Sequence, residues 1–481
     1  MPPSIAVVIP CRNEAGNLEQ VLPQIKSVSG SFGQPITIYV VDGHSTDGSP
    51  EVAGRHGVNV ITQRGNGYGG AIRTAIDTLS EDWIVTLDAD GSHPIGTLAS
   101  IVACIGQAEI VIASRYIAQG YARMPLLRKV LSLVLNRFFQ LVLSMPVRDM
   151  SSGFRAYHRK SIAAIPVEME SFAFLQEILL KAYMRGYRIL EIPFHYRPRS
   201  DGASKARIIA FGLQYLRLTG RMWALRNSVD SADYDTRAFY GRIPLQRWWQ
   251  RRRYEIIMEM VGNSLAVLDV GCGSGQLLNG LPQTIGLDPQ LNKLLFMRAP
   301  GRLLLRGSVF EIPFQDESFE TVVCSQVIEH LPKDDRIIEQ LVRCIAPGGQ
   351  LILGTVDYGG WQWPLIEKIY GFVHPGGYAH EHITHYTTEM LMRELTARNL
   401  TVESIQYIAR AEIIIKARKP GRAAAPAPIV LQAAFDRLLA CPQDRSRLEK
   451  LADAYVCTRC RRRFPLVNDI PDFLADATAA P

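Results

Sequence analysis

The stretch Ile84–Pro94 reads IVTLDADGSHP, an apolar run that ends in two aspartates, Asp88 and Asp90, with one alanine between them. Alternate side chains of a β-strand point to the same side, so we expect the two carboxylates to face the same way. Carboxylates this close repel each other unless a positive charge lies between them. The stretch therefore predicts a buried strand followed either by a solvated polar loop or by half of a divalent-metal site that faces a phosphate.

The bulk composition is that of an ordinary globular protein. The chain has 481 residues, 47% of them hydrophobic and 21% charged, and a net charge of +7. This length predicts about three domains, and the mild basic excess is too small to indicate a nucleic-acid-binding protein. The chain enters the strand-like run SIAVVIP at once, which leaves no room for a signal peptide, and no segment reaches the roughly 18 apolar residues of a membrane span. Scattered cysteines favour a reducing compartment, so we expect a cytoplasmic protein.

Strand-like and helix-like segments alternate along most of the chain, which predicts βαβ units and mostly parallel sheets. Two segments resemble linkers, the polar Arg226–Arg237 and the Ala/Pro-rich Lys419–Val430. The predicted fold class is α/β. We predict three domains: residues 1–228 as a first α/β domain, 229–420 as a second, Rossmann-like domain, and 429–481 as a small domain that contains three cysteines.

A second strand of the first domain, in IYVVDGHSTDG, also ends in acids, Asp42 and Asp47. Ligands of parallel sheets bind outside the carboxyl ends of the strands, so four carboxylates are expected at one edge. A divalent cation bound to a diphosphate is the usual way to neutralise such a cluster. Between the two strands lies QRGNGYGGAIRTAID (Gln63–Asp77), where glycines open a helix and allow backbone N–H groups to approach an anion.

The complete set of motifs resembles the family 2 glycosyltransferases, and within them the dolichyl- and polyprenyl-phosphate mannose synthases. The resemblance covers about residues 4–225 and rests on motifs that occur in the family's order: VVIPCRNE, VDGHSTDG, GYGGAIRT, DADGSHP, ASRY, DMSSGFRAY, FLQE and RSDGASK. It implies a GT-A fold and inverting transfer of a sugar from a nucleotide-diphosphate donor, either GDP-mannose or a UDP-sugar.

The resemblance also implies roles for individual residues. The nucleoside pocket would be lined by Pro10, Asn13, Glu14 and Asp42, the Mg²⁺ or Mn²⁺ ion would be held by Asp88 and Asp90, and phosphates of donor or acceptor would be contacted by Arg115, Arg199 and Lys205. Two positions depart from the family pattern. Ser92 stands where some relatives have a glutamine metal ligand, and Gly43 replaces the second acid of the commoner DD pair.

The acceptor side lacks the aspartate that usually serves as general base toward a hydroxyl acceptor, because the FLQE motif has Gln176 and Glu177 there. A phosphate monoester is already largely anionic near neutral pH and needs cations rather than a base. Arg128, Arg199 and Lys205 could supply them. We therefore expect a polyprenyl phosphate acceptor. The alternative is a glycan hydroxyl, with Glu177 or Asp149 as base.

The helix-like stretch Leu126–Met145 is almost entirely apolar. Its polar residues repeat every four positions and form one narrow stripe: Arg128, Ser132, Asn136, Gln140 and Ser144. Such a helix is either buried in the domain or laid into a membrane interface, where Lys129 and Arg137 could reach lipid headgroups. The interface reading predicts a peripheral protein on the cytoplasmic face of a membrane.

The second domain begins with VLDVGCGSG (Val267–Gly275), a strand that runs into a glycine turn, and TIGLDP adds a second strand that ends in an acid. With the segments around EIPFQDESFETVVCSQVIEHL and CIAPGGQLILGT, it resembles class I S-adenosylmethionine-dependent methyltransferases over about residues 235–418. The resemblance implies that the cofactor is bound by Asp269, Gly271, Gly273, Gly275 and Asp288. Ser308 stands where relatives often place an acid for the adenine.

The methyl acceptor of the second domain stays open at this point. Glu329 and His330 follow the fourth predicted strand and could face a substrate. The loop HPGGYAHEHITHYT gathers four histidines, which could include a base or metal ligands or be ordinary loop polarity: His374, His380, His382 and His385.

The C-terminal segment resembles small zinc-ribbon proteins that activate certain methyltransferases. Those proteins usually carry a CPxC…CxxC set, and here Asp444 replaces the second cysteine, leaving Cys441, Cys457 and Cys460. Aspartate can bind Zn²⁺, so this set is either a Cys₃Asp zinc site or a relic without metal. A ribbon that packs on the methyltransferase domain would stabilise it.

The complete reading is a bifunctional enzyme that glycosylates a polyprenyl phosphate and methylates a related glycan or lipid intermediate. The alternatives are a glycosyltransferase that acts on a glycan hydroxyl in surface-polysaccharide synthesis, and a chain in which one domain is an inactive scaffold for the other.

Overall fold

The computed structural model describes residues 2–30, 32–196, 219–373, 382–421 and 431–475. The chain divides into two compact units, Met1–Arg226 and Asn227–Pro481. Both units are built from alternating strands and helices around a mostly parallel sheet, so the predicted α/β class is confirmed. The predicted division into residues 1–228, 229–420 and 429–481 stays a prediction.

The first unit contains a seven-stranded sheet in the order β3-β2-β1-β4-β7-β5-β8 and a small parallel pair, β6 with β9. Only β7 runs antiparallel to its neighbours in the large sheet. The strands are β1 (Ile5–Cys11), β2 (Ile36–Asp42), β3 (Asn59–Thr62), β4 (Trp83–Thr86), β5 (Ile110–Ser114), β6 (Tyr121–Ala122), β7 (Arg155–His158), β8 (Ile189–Pro193) and β9 (His195–Tyr196).

Helices cover both faces of this sheet because the strands are apolar on both sides. In β1, Ala6 and Val8 belong to one buried cluster, whereas Ile5, Val7 and Ile9 belong to another. The helices are α1 (Ala15–Ser29), α2 (Ser49–Arg55), α3 (Gly67–Thr78), α4 (Gly96–Ala103), α5 (Leu126–Val142), α6 (Arg159–Ala163) and α7 (Phe174–Met184).

Strand β1 of the first sheet brings the acidic loops together. β1 pairs in parallel with β2 on one side, where Cys11 lies opposite Asp42, and with β4 on the other, where Val8 lies opposite Thr86. The loops that follow these three strands therefore leave the sheet at the same edge, as parallel pairing requires.

The second unit contains a seven-stranded sheet in the order β12-β11-β10-β13-β14-β16-β15. Its last strand in sequence, β16, runs antiparallel between β14 and β15. The strands are β10 (Val267–Val270), β11 (Thr284–Asp288), β12 (Leu303–Arg306), β13 (Phe319–Ser325), β14 (Ile345–Val356), β15 (Thr401–Ile408) and β16 (Glu412–Arg418).

The helices of this unit are α8 (Tyr234–Tyr240), α9 (Pro244–Val261), α10 (Leu277–Gly280), α11 (Leu291–Met297), α12 (Asp335–Cys344), α13 (Gln362–Val373), α14 (Thr388–Ala397) and α15 (Leu431–Leu438), with a 3₁₀ turn at Ile328–His330. A four-stranded antiparallel sheet completes the unit with β17 (Leu448–Lys450), β18 (Ala454–Cys457), β19 (Arg463–Val467) and β20 (Ile470–Pro471).

This C-terminal sheet packs directly on the Rossmann-like sheet. The Phe473 amide donates to the Arg306 carbonyl at 2.9 Å, and the Arg306 guanidinium pairs with Asp472 at 2.9 Å. Phe464, Phe473 and Tyr455 belong to the same buried apolar cluster as the strands β10–β14. The sheet and the Rossmann-like domain therefore share one core.

Candidate functional sites

Asp88 and Asp90 follow β4 at the edge where the acidic loops meet. Asp90 is buried and accepts a hydrogen bond from the Ser92 amide at 3.0 Å. Asp88 is about one-third exposed, and its amide donates to His93 Nδ1 at 3.1 Å. The His93 ring stacks on Phe154 with centroids 4.9 Å apart, which fixes the turn. The Asp88 carboxylate lies 3.7 Å from His93 Nε2 and is partly exposed, whereas that of Asp90 is held within the turn.

The surroundings of Asp88 join three motifs that are far apart in sequence. Tyr68, from the glycine segment, donates from its hydroxyl to the Gly153 carbonyl at 3.2 Å, and Thr86 Oγ1 donates to the same carbonyl at 2.7 Å. A Cβ at Gly153 would lie 2.8 Å from the Tyr68 hydroxyl and 3.4 Å from Asp88 Oδ1. The motifs around Tyr68 and Gly153 were visible in the sequence, but their contact with Asp88 was not.

Asp42 forms a polar pocket at the end of β2. Its Oδ2 accepts from the Ser45 amide at 3.1 Å, whereas Oδ1 is buried and has no hydrogen-bond partner among the residues that the structure describes. Buried carboxylate oxygens are normally paired, so Oδ1 can receive an N–H or O–H of a ligand. A Cβ at Gly43 would lie 2.8 Å from Gln63 Oε1 and 3.3 Å from the Cys11 carbonyl, so the Gln63 side chain would have to move to admit an acid there.

The loop after β1 is tied to the loop after β2. Asn13, in the left-handed region with φ of 56°, donates from its amide to Ser45 Oγ at 2.8 Å and accepts from the Thr46 amide at 2.8 Å. Asp47, the fourth acid of the expected edge, instead accepts from the Ala15 amide at 3.0 Å and from Ser49 Oγ at 2.5 Å. Its pKa is lowered because these hydrogen bonds outweigh the effect of burial. Asp47 therefore holds the loops rather than a ligand.

Two further residues predicted to line the nucleoside pocket, Pro10 and Glu14, lie on either side of Asn13 in the chain. Pro10 lies in β1 opposite Val41. The Glu14 amide donates to Ser49 Oγ at 3.0 Å, and its carboxylate accepts from Asn17 Nδ2 at 2.7 Å. Their contact with a nucleoside stays a prediction.

Arg115, predicted to contact a phosphate, forms a two-pronged ion pair with Asp149. Nε donates to Oδ2 at 2.8 Å and Nη2 to Oδ1 at 2.7 Å, with Asp149 fully buried. Burial alone would raise the pKa of Asp149, but Arg115 outweighs it and holds that pKa below its usual value. Arg115 also donates to Ser151 Oγ at 2.7 Å. Asp149 is therefore a weak base, already committed to Arg115.

Glu177, the other acid on the acceptor side, is also engaged. Its carboxylate accepts from the amides of Glu168 at 3.1 Å and Met169 at 2.9 Å, and pairs with Lys181 at 2.6 Å. The side chain is buried. These contacts fix the start of α7 rather than leave a base free.

Helix α5 turns its polar stripe inward. Ser132 Oγ accepts from the Tyr116 hydroxyl at 2.7 Å, Asn136 Nδ2 donates to Ser151 Oγ at 3.1 Å, and Gln140 Nε2 donates to the Val147 carbonyl at 3.0 Å. The opposite face is apolar and exposed, with Leu126 76%, Leu127 71%, Val130 46%, Leu131 42%, Leu133 41%, Val134 61%, Phe138 39% and Leu141 43% accessible. A soluble helix normally has the reverse arrangement.

The side chains of the three other predicted phosphate ligands lie outside the described part of the structure. Arg128 belongs to helix α5, but its side chain lies outside the described part of the structure. Arg199 and Lys205 lie outside the described residues, as do His374 and His380. No helix within the described ranges is long and apolar enough to cross a membrane.

The glycine turn of the second unit closes tightly after β10. Gly271 and Gly273 have φ of +74° and +52°, and a Cβ at Gly271 would lie 2.2 Å from Val327 Cγ2. Asp288 accepts from the Gly273 amide at 2.8 Å and from the Gln290 amide at 2.7 Å. Gly275 is less confined, because a Cβ there would lie 3.0 Å from the Cys272 carbonyl.

Asp269 lies buried below this turn. Its pKa is raised to about 7, first by burial and then by the nearby Asp288. Burial also raises the pKa of Asp288 itself. Asp269 and Asp288 thus place two buried carboxyl groups beside the glycine turn, where the resemblance implies the cofactor.

Asp235 and Lys293 lie beside the glycine turn, and the sequence analysis did not single them out. Asp235 Oδ2 accepts from the Ser274 amide at 3.0 Å and pairs with Lys293 Nζ at 3.2 Å. Asp235 falls in the polar stretch Arg226–Arg237 that resembled a linker, so its spacing gave no signal. The stretch in fact supplies the start of α8, which buttresses the turn.

Glu329, His330 and His382 form a compact group at the carboxyl edge of β13. One ligand atom from each lies within 4.8 Å of the others. Burial raises the pKa of Glu329 to about 7. His385, in contrast, stacks on Tyr358 with centroids 4.0 Å apart.

The C-terminal sheet brings Cys441, Asp444, Cys457 and Cys460 together, with ligand atoms within 4.8 Å of one another. The Cys441 and Cys460 sulfurs are 3.7 Å apart, and Cys457 Sγ lies 3.5 Å from Asp444 Oδ1. Two thiolates bound about 2.3 Å from one tetrahedral zinc ion lie about 3.8 Å apart. The donors present therefore fit Zn²⁺.

Comparison with known proteins identifies both domains. Residues 6–165 match the family model for glycosyl transferase family 2, and residues 268–353 match that for a methyltransferase domain. The chain is 31% identical over 196 residues to the dolichyl-phosphate hexose transferase of Haloferax volcanii, covering 41% of this chain and 84% of that protein.

Two further relatives match the same region. Glycosyltransferase AglJ of Haloferax volcanii is 28% identical over 204 residues, which are 42% of this chain and 66% of that protein. The polyprenol monophosphomannose synthase of Mycolicibacterium smegmatis is 27% identical over 241 residues, which are 47% of this chain and 89% of that protein. The matches confirm the predicted family 2 glycosyltransferase and methyltransferase domains and the expectation of an enzyme. The chain belongs to glycosyl transferase family 2 through its first unit, and its second unit carries a methyltransferase domain.

Proposed function

We propose that the first unit transfers a sugar from a nucleotide-diphosphate donor to a polyprenyl phosphate at a membrane surface, and that the second unit methylates a related glycan or lipid intermediate with S-adenosylmethionine. The observation that carries the first part is that both acids on the acceptor side, Asp149 and Glu177, are already engaged by other groups. The name of a relative, dolichyl-phosphate hexose transferase, points to the same acceptor class.

The donor would lie across the edge formed by β1, β2 and β4. Asp42, with its unpartnered buried Oδ1, is suited to bind an N–H or O–H of the nucleoside. Asp88 and Asp90 would hold Mg²⁺ or Mn²⁺, which when bound would neutralise the diphosphate leaving group. Tyr68 and Gly153 set the position of Asp88 and so act as positioning residues.

The engaged acids on the acceptor side favour a phosphate over a hydroxyl as the acceptor. A hydroxyl acceptor needs a base, yet Asp149 has a lowered pKa and is paired with Arg115, and Glu177 accepts two backbone amides and a lysine. A phosphate oxygen needs no deprotonation. It would attack the anomeric carbon as the bond to the leaving diphosphate breaks, with inversion, so no base is required.

Helix α5 supports a lipid acceptor. Its outward face exposes eight apolar side chains, and Ser132, Asn136 and Gln140 of its polar stripe form hydrogen bonds within the unit. An exposed apolar stripe of this kind fits the interface plane of a bilayer. The unit would then act as a peripheral protein on the cytoplasmic face, where its acceptor lipid presents its phosphate.

In the second unit, S-adenosylmethionine would bind at the glycine turn. The confined Gly271 and Gly273 allow the backbone to approach the ligand, and Asp288 sits where ribose hydroxyls can donate to it. The C-terminal sheet would bind Zn²⁺ through Cys441, Asp444, Cys457 and Cys460 and stabilise the core that it shares with this domain.

The experiment incubates the full-length chain with Mg²⁺ or Mn²⁺, a panel of radiolabelled nucleotide sugars and a polyprenyl phosphate, then counts label in the organic phase. We expect metal-dependent label there that is lost in Asp90→Ala. Label found only in water-soluble glycan would favour the hydroxyl acceptor. Absence of turnover with every donor would refute the proposal in favour of a scaffold role for the first unit.

A further inference from the structure

The group Glu329, His330 and His382 has the composition and spacing of a metal site that the glycosyltransferase and methyltransferase families do not explain. Glu329 and His330 sit in the 3₁₀ turn after β13, and His382 precedes α14. One oxygen and two ring nitrogens lie within 4.8 Å of one another. Ligand atoms about 2.1 Å from one ion lie roughly 3–4 Å apart, so a cation would require only a small inward movement.

His382 is oriented by the carboxylate of Glu367. His382 Nδ1 lies 2.9 Å from Glu367 Oε1, and the Tyr358 hydroxyl donates to the same oxygen at 2.7 Å. The carboxylate keeps the proton on Nδ1, which leaves the lone pair of Nε2 for a ligand. A carboxylate behind a histidine is the usual outer shell of a metal-binding imidazole.

Glu329 provides an independent observation. Its side chain is fully buried, and Oε2 accepts from Thr355 Oγ1 at 2.9 Å. Oε1 has no hydrogen-bond partner among the residues that the structure describes. A buried carboxylate oxygen without a donor is rare in native structures and points to a missing ion or ligand.

We propose that Glu329, His330 and His382 bind a divalent transition-metal ion on the acceptor side of the methyltransferase domain. Two imidazoles with one carboxylate favour first-row transition-metal ions such as Fe²⁺, Co²⁺ or Zn²⁺, and also accept Mn²⁺, in preference to Ca²⁺ or Mg²⁺. Three protein ligands leave positions open for a substrate oxygen, as in catalytic rather than structural sites.

The place of the site indicates its use. Val327 lies two residues before Glu329 and packs closely against Gly271 of the cofactor turn. A Cβ added at Gly271 would clash with Val327 Cγ2. The ion would therefore lie near the methyl donor and hold an oxygen of the methyl acceptor. This role rests on the proposed methyl transfer and narrows its substrate class to an acceptor with a metal-binding hydroxyl or carboxylate.

The test measures Mn²⁺ binding by electron paramagnetic resonance in full-length Asp90→Asn protein, where the first-unit site is removed. Thiolate ligands of the C-terminal sheet disfavour Mn²⁺, so we expect about one equivalent. His382→Ala should abolish it, and Glu367→Gln should weaken it about 10- to 100-fold. The matched control His385→Phe keeps the stack on Tyr358 and should bind normally.

S-adenosylmethionine binding by calorimetry shows whether each variant is folded and separates the two proposals. The metal site is overturned if the protein binds S-adenosylmethionine but no Mn²⁺, or if folded His382→Ala still binds one equivalent of Mn²⁺. Either result leaves the methyltransferase proposal standing. A Mn²⁺ equivalent in a protein that does not bind S-adenosylmethionine would refute the proposed activity and leave the metal site.

Discussion

The exposed face of helix α5 gives a quantitative prediction. We replace Leu126 and Leu127, which are 76% and 71% exposed, with serine. Full burial of a leucine side chain is worth about 1.5–3 kcal/mol, so the exposed fraction of each side chain contributes about 1–2 kcal/mol when it enters lipid. Loss of both contributions, about 2–4 kcal/mol, predicts a partition coefficient roughly 30- to 1,000-fold lower, at about 1.4 kcal/mol per factor of ten.

The assay is flotation of the full-length chain with phosphatidylcholine–phosphatidylglycerol vesicles, quantified over a range of lipid concentrations. The matched control is Val60→Ser, because Val60 is an exposed apolar residue, 39% accessible, on the edge strand β3 of the same unit. This control should bind vesicles like the parent protein. The double variant should unfold at the parent temperature, because Leu126 and Leu127 are mostly exposed, and the unfolding temperature of Val60→Ser shows that the control is folded.

The reasoning would be refuted if the double variant bound vesicles as tightly as the parent, or if Val60→Ser weakened binding equally. In the first case the apolar face of α5 does not enter the bilayer. In the second, binding follows general surface hydrophobicity rather than this helix.

Three further predictions concern single positions. Gly153→Ala should lower the rate of sugar transfer at least about tenfold with little change in stability, because its Cβ would press on the Tyr68 hydroxyl and Asp88; a normal rate would show that this packing does not position the acid. Asp269 keeps its proton in the folded state up to about pH 7 but loses it near 3.8 when unfolded, so its contribution to stability is lost as pH rises between these values. Asp269→Asn should therefore unfold at an increasingly higher temperature than the parent from about pH 4 to 7 in calorimetry without cofactor, and a constant difference would contradict the raised pKa. Phe473→Ala should cost about 3–5 kcal/mol and lower the unfolding temperature of the methyltransferase domain as well, because Phe473 belongs to the shared core; separate transitions would show that the C-terminal sheet is independent.

The sequence predicted the position of those candidate site residues that lie at the ends of parallel strands. Parallel pairing of β1 with β2 and β4 follows from the alternating pattern, and it places Asp42, Asp88 and Asp90 at one edge without knowledge of any long-range contact. The glycines of the second unit were equally readable, since a turn that must approach a ligand tolerates little else.

Pairing between distant side chains was not readable. Nothing in the spacing of Arg115 and Asp149 indicates that they neutralise each other, nor that Asp47 holds two loops. The period of α5 predicted a narrow polar stripe but not its direction. Only the contacts of Ser132 and Asn136 reveal that the stripe faces inward and the apolar side faces out.

The most direct test of the account compares two acceptors that differ only in the phosphate. Initial rates of sugar transfer are measured with a polyprenyl phosphate and with the polyprenol of the same chain length, in the same detergent and with the same labelled donor. Because the two candidate bases for the acceptor, Asp149 and Glu177, are both engaged in ion pairs, we predict transfer to the phosphate and none to the alcohol. Comparable glycosylation of the polyprenol would contradict the account.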